Sequence, residues 1–272
     1  MKKTVPSILV AAGFLFHFGT AISQAAPENI GRADRVKNNV TGQIGGRRSK
    51  ISVGDSVFQN QRIRTRSNST AQFRFKDNTR LAVGANSSIK LDKAVFSAGS
   101  KDKLVLKAAR GAFRFASGKL RKKAYKIVTP SSTVGIRGTL FDLFIGRQGE
   151  TILTLLQGSL TACSGSGACR TIKDPCACLR IDRSGNITAS TGLTQAVLKG
   201  NPASRVAPFL FFQSGLPRSI QAPSWLIRKC TSGSSTDGQD TDGSGGEGSG
   251  AGSPGGNGGG SGSGTGGGSD IG

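Results

Sequence analysis

The chain has 272 residues, with 37 lysines and arginines against 15 aspartates and glutamates, a formal net charge of +22 and one histidine, His17. That length is ample for a buried core. If residues 1–25 are removed by export, as read below, the histidine goes with them. Ser-His-Asp, Cys-His and His-ligated zinc chemistry are then excluded.

Met1-Lys2-Lys3 is a short positive start, Val5 to Phe18 is an apolar run, and Ser23 and Ala25 are small residues at −3 and −1. This is the pattern of a secretory signal peptide cleaved between Ala25 and Ala26. The run is too short to span a membrane, which takes about 20 residues; no later stretch qualifies, and no transmembrane span is expected. Residues 1–25 therefore read as a signal peptide and 26–34 as a linker, and the mature chain as periplasmic or secreted.

Residues 26–230 hold 35 of the bases and 10 of the acids, whereas 231–272 hold five acids and no base. A field of that sign attracts polyanions, and salt screens it beyond about 10 Å. The expected partner is an anionic envelope polymer, lipopolysaccharide or polysaccharide, or else an envelope protein. Phospholipid head groups are a further candidate, and nucleic acid enters only as extracellular DNA. No cofactor and no metal is implied.

From Arg35 to Ala162 the apolar period is two. Arg62, Arg64 and Arg66 alternate with Ile63 and Thr65 and so share one strand face. Phe73-Arg74-Phe75 and Leu81-Ala82-Val83 flank a turn at Asp77-Asn78, a hairpin with Phe73, Phe75, Leu81 and Val83 on one face. Lys103 to Lys107 and Ala112 to Phe115 repeat the style. Lys119, Arg121, Lys122 and Lys123 form a second basic cluster. Further strands are expected at 124–128, 139–145, 150–156 and 159–163, with turns at 146–149 and at Gln157-Gly158. The Phe-Arg-Phe pairs read as core, because alternation sends both rings to one face, where each contributes about 1.5–3 kcal/mol on burial. The competing reading is a stacking platform for single-stranded nucleic acid. Ser87-Ser88-Ile89-Lys90 fits a penicillin-type Ser-x-x-Lys, but its Lys-Thr-Gly companion is absent.

Cys163, Cys169, Cys176, Cys178 and Cys230 suit disulfides in an oxidising compartment better than zinc. Cys163 and Cys169 flank Ser164-Gly165-Ser166-Gly167, so a bridge closing a hairpin is expected there. Cys230 is expected to join Cys176 or Cys178. Residues 163–230 are read as a cysteine-containing basic extension. The last 42 residues, with 19 glycines and 9 serines, form a disordered acidic tail, because they cannot bury enough apolar surface to offset ordering.

Ser52-Val53-Gly54-Asp55 with Arg62-Ile63-Arg64-Thr65, Thr70 to Phe75 with Asn78 to Ser87, Leu106 to Gly118, and Thr129-Pro130-Ser131-Ser132-Thr133-Val134-Gly135-Ile136-Arg137-Gly138-Thr139 resemble, in order, the motifs of the FecR domain. Asn78 stands where that family usually has Gly, and Asn tolerates the left-handed turn. The resemblance implies an all-β domain over 35–162: a compact roll or solenoid-like stack of short antiparallel strands, or alternatively a two-sheet β-sandwich. It covers only the periplasmic part of sigma-regulating family members, so sigma-factor control is not carried over. It implies a non-enzymatic binding or scaffolding module, or alternatively a periplasmic sensor acting through a membrane partner. Within the signature, Gly135, Ile136, Arg137, Gly138 and Thr139 are the candidate site. The two glycines suggest a bulge or close backbone approach, with Ile136 inward and Arg137 on the opposite face. Arg137 either contacts a ligand or, the preferred reading, pairs with an acid such as Asp142 or caps carbonyls at the bulge.

Overall fold

The computed structural model describes residues 26–96, 103–120 and 124–232. In chain order the strands are β1 (Asn29–Lys37), β2 (Val40–Ile44), β3 (Arg47–Lys50), β4 (Ser56–Phe58), β5 (Arg62–Thr65), β6 (Thr70–Phe75), β7 (Arg80–Val83), β8 (Ser88–Val95), β9 (Lys103–Ala116), β10 (Tyr125–Val128), β11 (Ser132–Ile145), β12 (Thr151–Ser164), β13 (Cys169–Ile172), β14 (Ala177–Ile181) and β15 (Ile187–Thr191). Together they make one mixed sheet of fifteen strands. Only β9 and β10 pair in parallel. The all-β class read from the sequence is the class found. The signal segment, the Gly/Ser-rich tail and Arg121 to Lys123 lie outside the described residues.

Local chemistry explains the strand ends. In the hairpin of β6 and β7, Phe73 faces Leu81 and Ala71 faces Val83, and all four are buried. The turn closes through Asn78, which sits at φ +66°, a region where asparagine is tolerated. Asp77 then holds the corner. Its carboxylate accepts from the Thr79 N–H at 3.0 Å, the Thr79 hydroxyl at 2.6 Å and the Tyr125 hydroxyl at 2.8 Å. Burial above all, with Asp77 beside it, pushes the Tyr125 phenol up to about 12, so Tyr125 remains a protonated donor. Asn38, Asn60, Asn68 and Asn86 occupy the same left-handed region, each where the chain turns between strands.

Three strands of fourteen residues, β9, β11 and β12, carry the sheet from one layer to the other. Each changes partners at a glycine of positive φ: Gly111, Gly138 and Gly158. Before Gly111, β9 pairs with β8 and β10; after it, with β7 and β11. A β-carbon on Gly111 would collide with Ser87, and one on Gly158 with the Gly138 carbonyl. Gln157-Gly158, expected as a turn, is therefore a crease within one strand, and the strands expected at 150–156 and 159–163 are continuous. Folding the sheet this way lets the apolar faces of both layers meet. Ile63, Ile89, Leu106, Ile136 and Leu160 from one layer share a single cluster with Phe73, Phe115, Phe141, Leu153 and Leu179 from the other.

The second layer is covered on its outer face as well. Residues 193–231 form short helices, α1 (Gln195–Leu198), α2 (Ala203–Val206), α3 (Pro208–Phe211) and α4 (Ser224–Thr231), with a 3-10 turn at Arg218–Ile220. Leu193, Val197, Leu198, Val206, Leu210 and Leu226 pack on Phe144, Ile152 and Leu156. This explains why the second half of β11 and the first half of β12 are buried on both faces while their other halves alternate. No helix was expected from the sequence. Three of the four helices are four residues long and α4 has eight, too short for a 3.6-residue stripe to register over an 11-residue window.

One row of the ladder fastens this cover. Arg114 stands opposite Asp142, and both are fully buried, at 0% and 2% exposure. Arg114 Nε donates to Asp142 Oδ1 at 2.6 Å and Nη2 to Oδ2 at 2.8 Å; Nη1 donates to Gln213 Oε1 and the Ile220 carbonyl, both at 3.1 Å. The guanidinium carbon lies 5.9 Å from the centre of the Phe209 ring. Arg35 and Gln72 both donate to the Gly215 carbonyl. Cys176 is bonded to Cys230, which ties α4 to the start of β14, and Cys163 is bonded to Cys169. Of the two partners open to Cys230, Cys176 takes it, and Cys178 remains a buried thiol.

Three sequence expectations change. Arg114, not Arg137, is the partner of Asp142: it lies on the strand directly opposite, and the covering segment seals both from water. The linker read at 26–34 is already strand from Asn29, because Ile30 and Ala33 belong to the core. The extension read at 163–230 continues the sheet and then covers it.

Breaking a buried ion pair by removing one partner typically costs about 3–5 kcal/mol. We expect R114A or D142N to lower the urea-unfolding free energy by that amount, and R114M/D142L to recover most of it. Loop-closure entropy gives the 54-residue separation of Cys176 and Cys230 about 4 kcal/mol, and the 6-residue separation of Cys163 and Cys169 about 2 kcal/mol. C230S should therefore lower the melting temperature more than C169S, as calorimetry can show.

Candidate anion-binding face

Among the described residues, the outer face of the first layer has no such cover. Its strands run β3, β2, β5, β8, β9, and the register aligns one side chain from each. Arg48 faces Gln43, Gln43 faces Arg62, Arg62 faces Lys90, and Lys90 faces Lys107. Residues paired directly across a sheet project from the same face, and neighbouring strands are about 4.8 Å apart. The row thus spans roughly 19 Å across the strands. A second row runs Lys50, Thr41, Arg64, Ser88. A third runs Lys93, Val105, Lys126, Gly135, Thr161, Thr171.

Asp92 is the only acid in the described strand segments of this face. It sits where β8 bulges between Leu91 and Lys93, and it takes Lys90 at 2.8 Å and Lys107 at 3.0 Å. Burial raises its carboxyl, but the hydrogen bonds and charges of the two lysines together outweigh that and leave it below the ordinary carboxylate value. Asp92 stays ionised near neutrality and pairs with both lysines, while Arg48 and Arg62 make no ion pair among the described residues. Arg64 Nη1 donates to Gln43 Oε1 at 3.1 Å, which fixes the guanidinium without neutralising it. The covered layer differs: there Arg32, Arg74 and Arg80 gather around Asp34 at 3.1, 3.1 and 3.8 Å.

Of the residues expected to form the basic face, Arg62 is exposed and Arg64 half-buried on β5. Arg66 falls beyond the strand, in a turn whose backbone bonds to Asn39, Ser69 and Asn86. Lys119 is exposed at the end of the loop after β9. Sequence reasoning missed Arg48, Lys90, Lys107 and Lys126, which come from strands that meet Arg62 only through non-local pairing.

The signature 129–139 divides between architecture and surface. Thr129, Ser131 and Ser132 are buried. The Thr129 hydroxyl accepts from the Ser132 N–H at 2.9 Å and lies 2.7 Å from the Thr151 hydroxyl, while Ser131 reaches the Ile181 carbonyl at 3.1 Å. Thr139 donates its hydroxyl to the Ser159 carbonyl at 2.6 Å and its N–H to the Ser117 hydroxyl at 2.8 Å, and so locks the crease beside Gly138. Ile136 is core. Gly135 and Arg137 are exposed on the open face, and Arg137 makes no ion pair among the described residues. Gly138 occupies the bulge, but Gly135 adopts an ordinary backbone with no close neighbour. Its effect is to leave the third row flat.

Among the described residues, no group of three or more His, Cys, Asp or Glu is placed to hold a metal ion. No helix there is long and apolar enough to cross a membrane. Burial pushes the Cys178 thiol up to about 11, which leaves it protonated and unreactive.

Residues 61–161 match the family model described as FecR protein. No curated protein matches the chain. Among solved structures, two crystal structures of a "putative anti-sigma factor from Parabacteroides distasonis ATCC 8503" are similar at 15% identity and a TM-score of 0.42, covering 55% of this chain and 72% of theirs. The matched stretch runs from the residue before β5 through most of β12, and so takes in Arg62, Lys90 and Lys107 but not Arg48, together with the signature corner and nearly all of the three creased strands. Over residues 61–161, under half of its length, the chain is similar to the FecR domain.

Proposed function

We propose that this protein is a non-enzymatic, extracytoplasmic binding module whose open sheet face engages an anionic envelope polymer such as lipopolysaccharide or an acidic polysaccharide. The observation that carries the reading is the in-register placement of Arg48, Arg62, Lys90 and Lys107, with further bases on both sides and one acid among them. Like charges directly across a sheet repel, and among the described residues this face accepts that cost without enough acids to offset it. A polymer with regularly spaced anionic groups would relieve it. The flat, uncovered surface suits an extended chain better than a small molecule, which binds in concave, mostly apolar sites. Two disulfides accord with an oxidising compartment outside the cytoplasm.

A second reading is regulatory, in which the same face receives an acidic protein partner and passes a signal on. The FecR family match supports it.

Titrating heparin and lipopolysaccharide from low to physiological salt separates these readings. Counterion release requires affinity to fall steeply with salt, with a slope that counts the neutralised charges. R48Q/R62Q/K126Q should weaken polymer binding about tenfold or more and reduce the salt slope by about 3. R147Q/R183Q/K199Q makes the same charge change elsewhere and should leave both nearly unchanged. Affinity that ignores salt, or equal losses in the two triple variants, would contradict the polymer reading.

A further inference from the structure

Three large aromatic side chains of the covering segment are left in water. Phe211 is 40% exposed, Phe212 69% and Trp225 55%, and only Val53 joins them as a large exposed hydrophobic among the described residues. Their neighbours explain how they are held outward. Phe209 and Leu210 anchor α3 from below, and Leu226 and Cys230 anchor α4. The Gln213 side chain then fastens the two stretches together. Its Nε2 donates to the Ala222 carbonyl at 2.9 Å, and its Oε1 accepts from the Ala222 N–H at 2.6 Å. The residue after Phe212 is thus tied to the residue three before Trp225, so the aromatic groups emerge from one region of the surface.

The charges around them have one sign. Arg228 and Lys229 follow Trp225 by three and four residues, on the same side of α4, and both are exposed. Arg205 and Arg218 are exposed in the same segment. Residues 183–236 contain no aspartate or glutamate. Protein interfaces are depleted in lysine at their centre. Exposed Trp and Phe ringed by bases without acids fit another surface, the headgroup layer of a membrane that carries negative charge. The longest helix here has eight residues, so contact would be with the interface and not across the bilayer.

We propose that the C-terminal helical segment, through Phe211, Phe212, Trp225, Arg228 and Lys229, docks this protein on an anionic phospholipid bilayer. The site is separate from the open sheet face and does not depend on the reading given for that face.

Trp225 is the only tryptophan of the chain, so its fluorescence reports this contact alone. Vesicles of phosphatidylglycerol and phosphatidylcholine in equal parts should shift its emission to the blue at low and moderate salt. Vesicles of phosphatidylcholine should shift it little, and heparin, which occupies charges without burying rings, should not shift it. F211S/F212S should weaken vesicle binding about tenfold or more, and R228Q/K229Q should weaken it about tenfold, with thermal unfolding unchanged in both. An emission spectrum unchanged by anionic vesicles, a shift equally large with neutral ones, or wild-type binding by both double variants would overturn the proposal. Heparin affinity in the same samples reports independently on the open sheet face.

Discussion

Arg114 and Asp142 decide which side of this sheet is closed. A charged pair at 0% and 2% exposure is tolerable only if its remaining hydrogen-bonding capacity is met. The covering segment meets it, through Gln213 and the Ile220 carbonyl. The segment is otherwise a run of helices of four to eight residues, with one 3-10 turn, that would not hold their shape alone. It is positioned by a polar lock at its middle, by Leu210, Leu226 and their neighbours packed on the sheet, and by the Cys176–Cys230 bridge near its end. With one face sealed this way, the other remains available, and the surplus of positive charge lies there and along the rim of the cover.

The three glycine creases set the second constraint. Gly111, Gly138 and Gly158 let long strands serve both layers, so one core fills from two directions and the open face is a smooth continuation of the strands that form the closed one. The family signature is mostly part of this bend. Thr129, Ser131, Ser132 and Thr139 spend their hydroxyls on the corner and the crease, and Arg137 is the one long side chain of the signature that is exposed. A motif that reads as a binding loop in one dimension is, in three, largely the hinge that holds the face in place.

Much of the fold was legible in the sequence. Period-two alternation placed Phe73, Phe75, Leu81 and Val83 on the core side, and it put Arg62 outward, because a half-buried strand leaves that trace in a single segment. Asn78 revealed its turn for the same local reason. Register across distant strands leaves no such trace. Nothing in the sequence says that Lys90 lies beside Arg62, or that Arg48 stands two strands away, since the loops between them do not encode the pairing. Arg114 misled for a related reason: alternation sent it away from the core, and only the fold shows that a later segment covers that side. The four-residue helices escaped notice because one turn is shorter than the period by which helices are recognised.

The central claim is that the uncovered face, and not the charge of the chain as a whole, receives an anionic polymer. Lysine acetylation read by mass spectrometry, with and without saturating heparin, tests it residue by residue. The account predicts that heparin shields Lys90, Lys107 and Lys126 several-fold while Lys76 and Lys199 label at the same rate as before. Uniform shielding of all five, or shielding confined to Lys76 and Lys199, would contradict it.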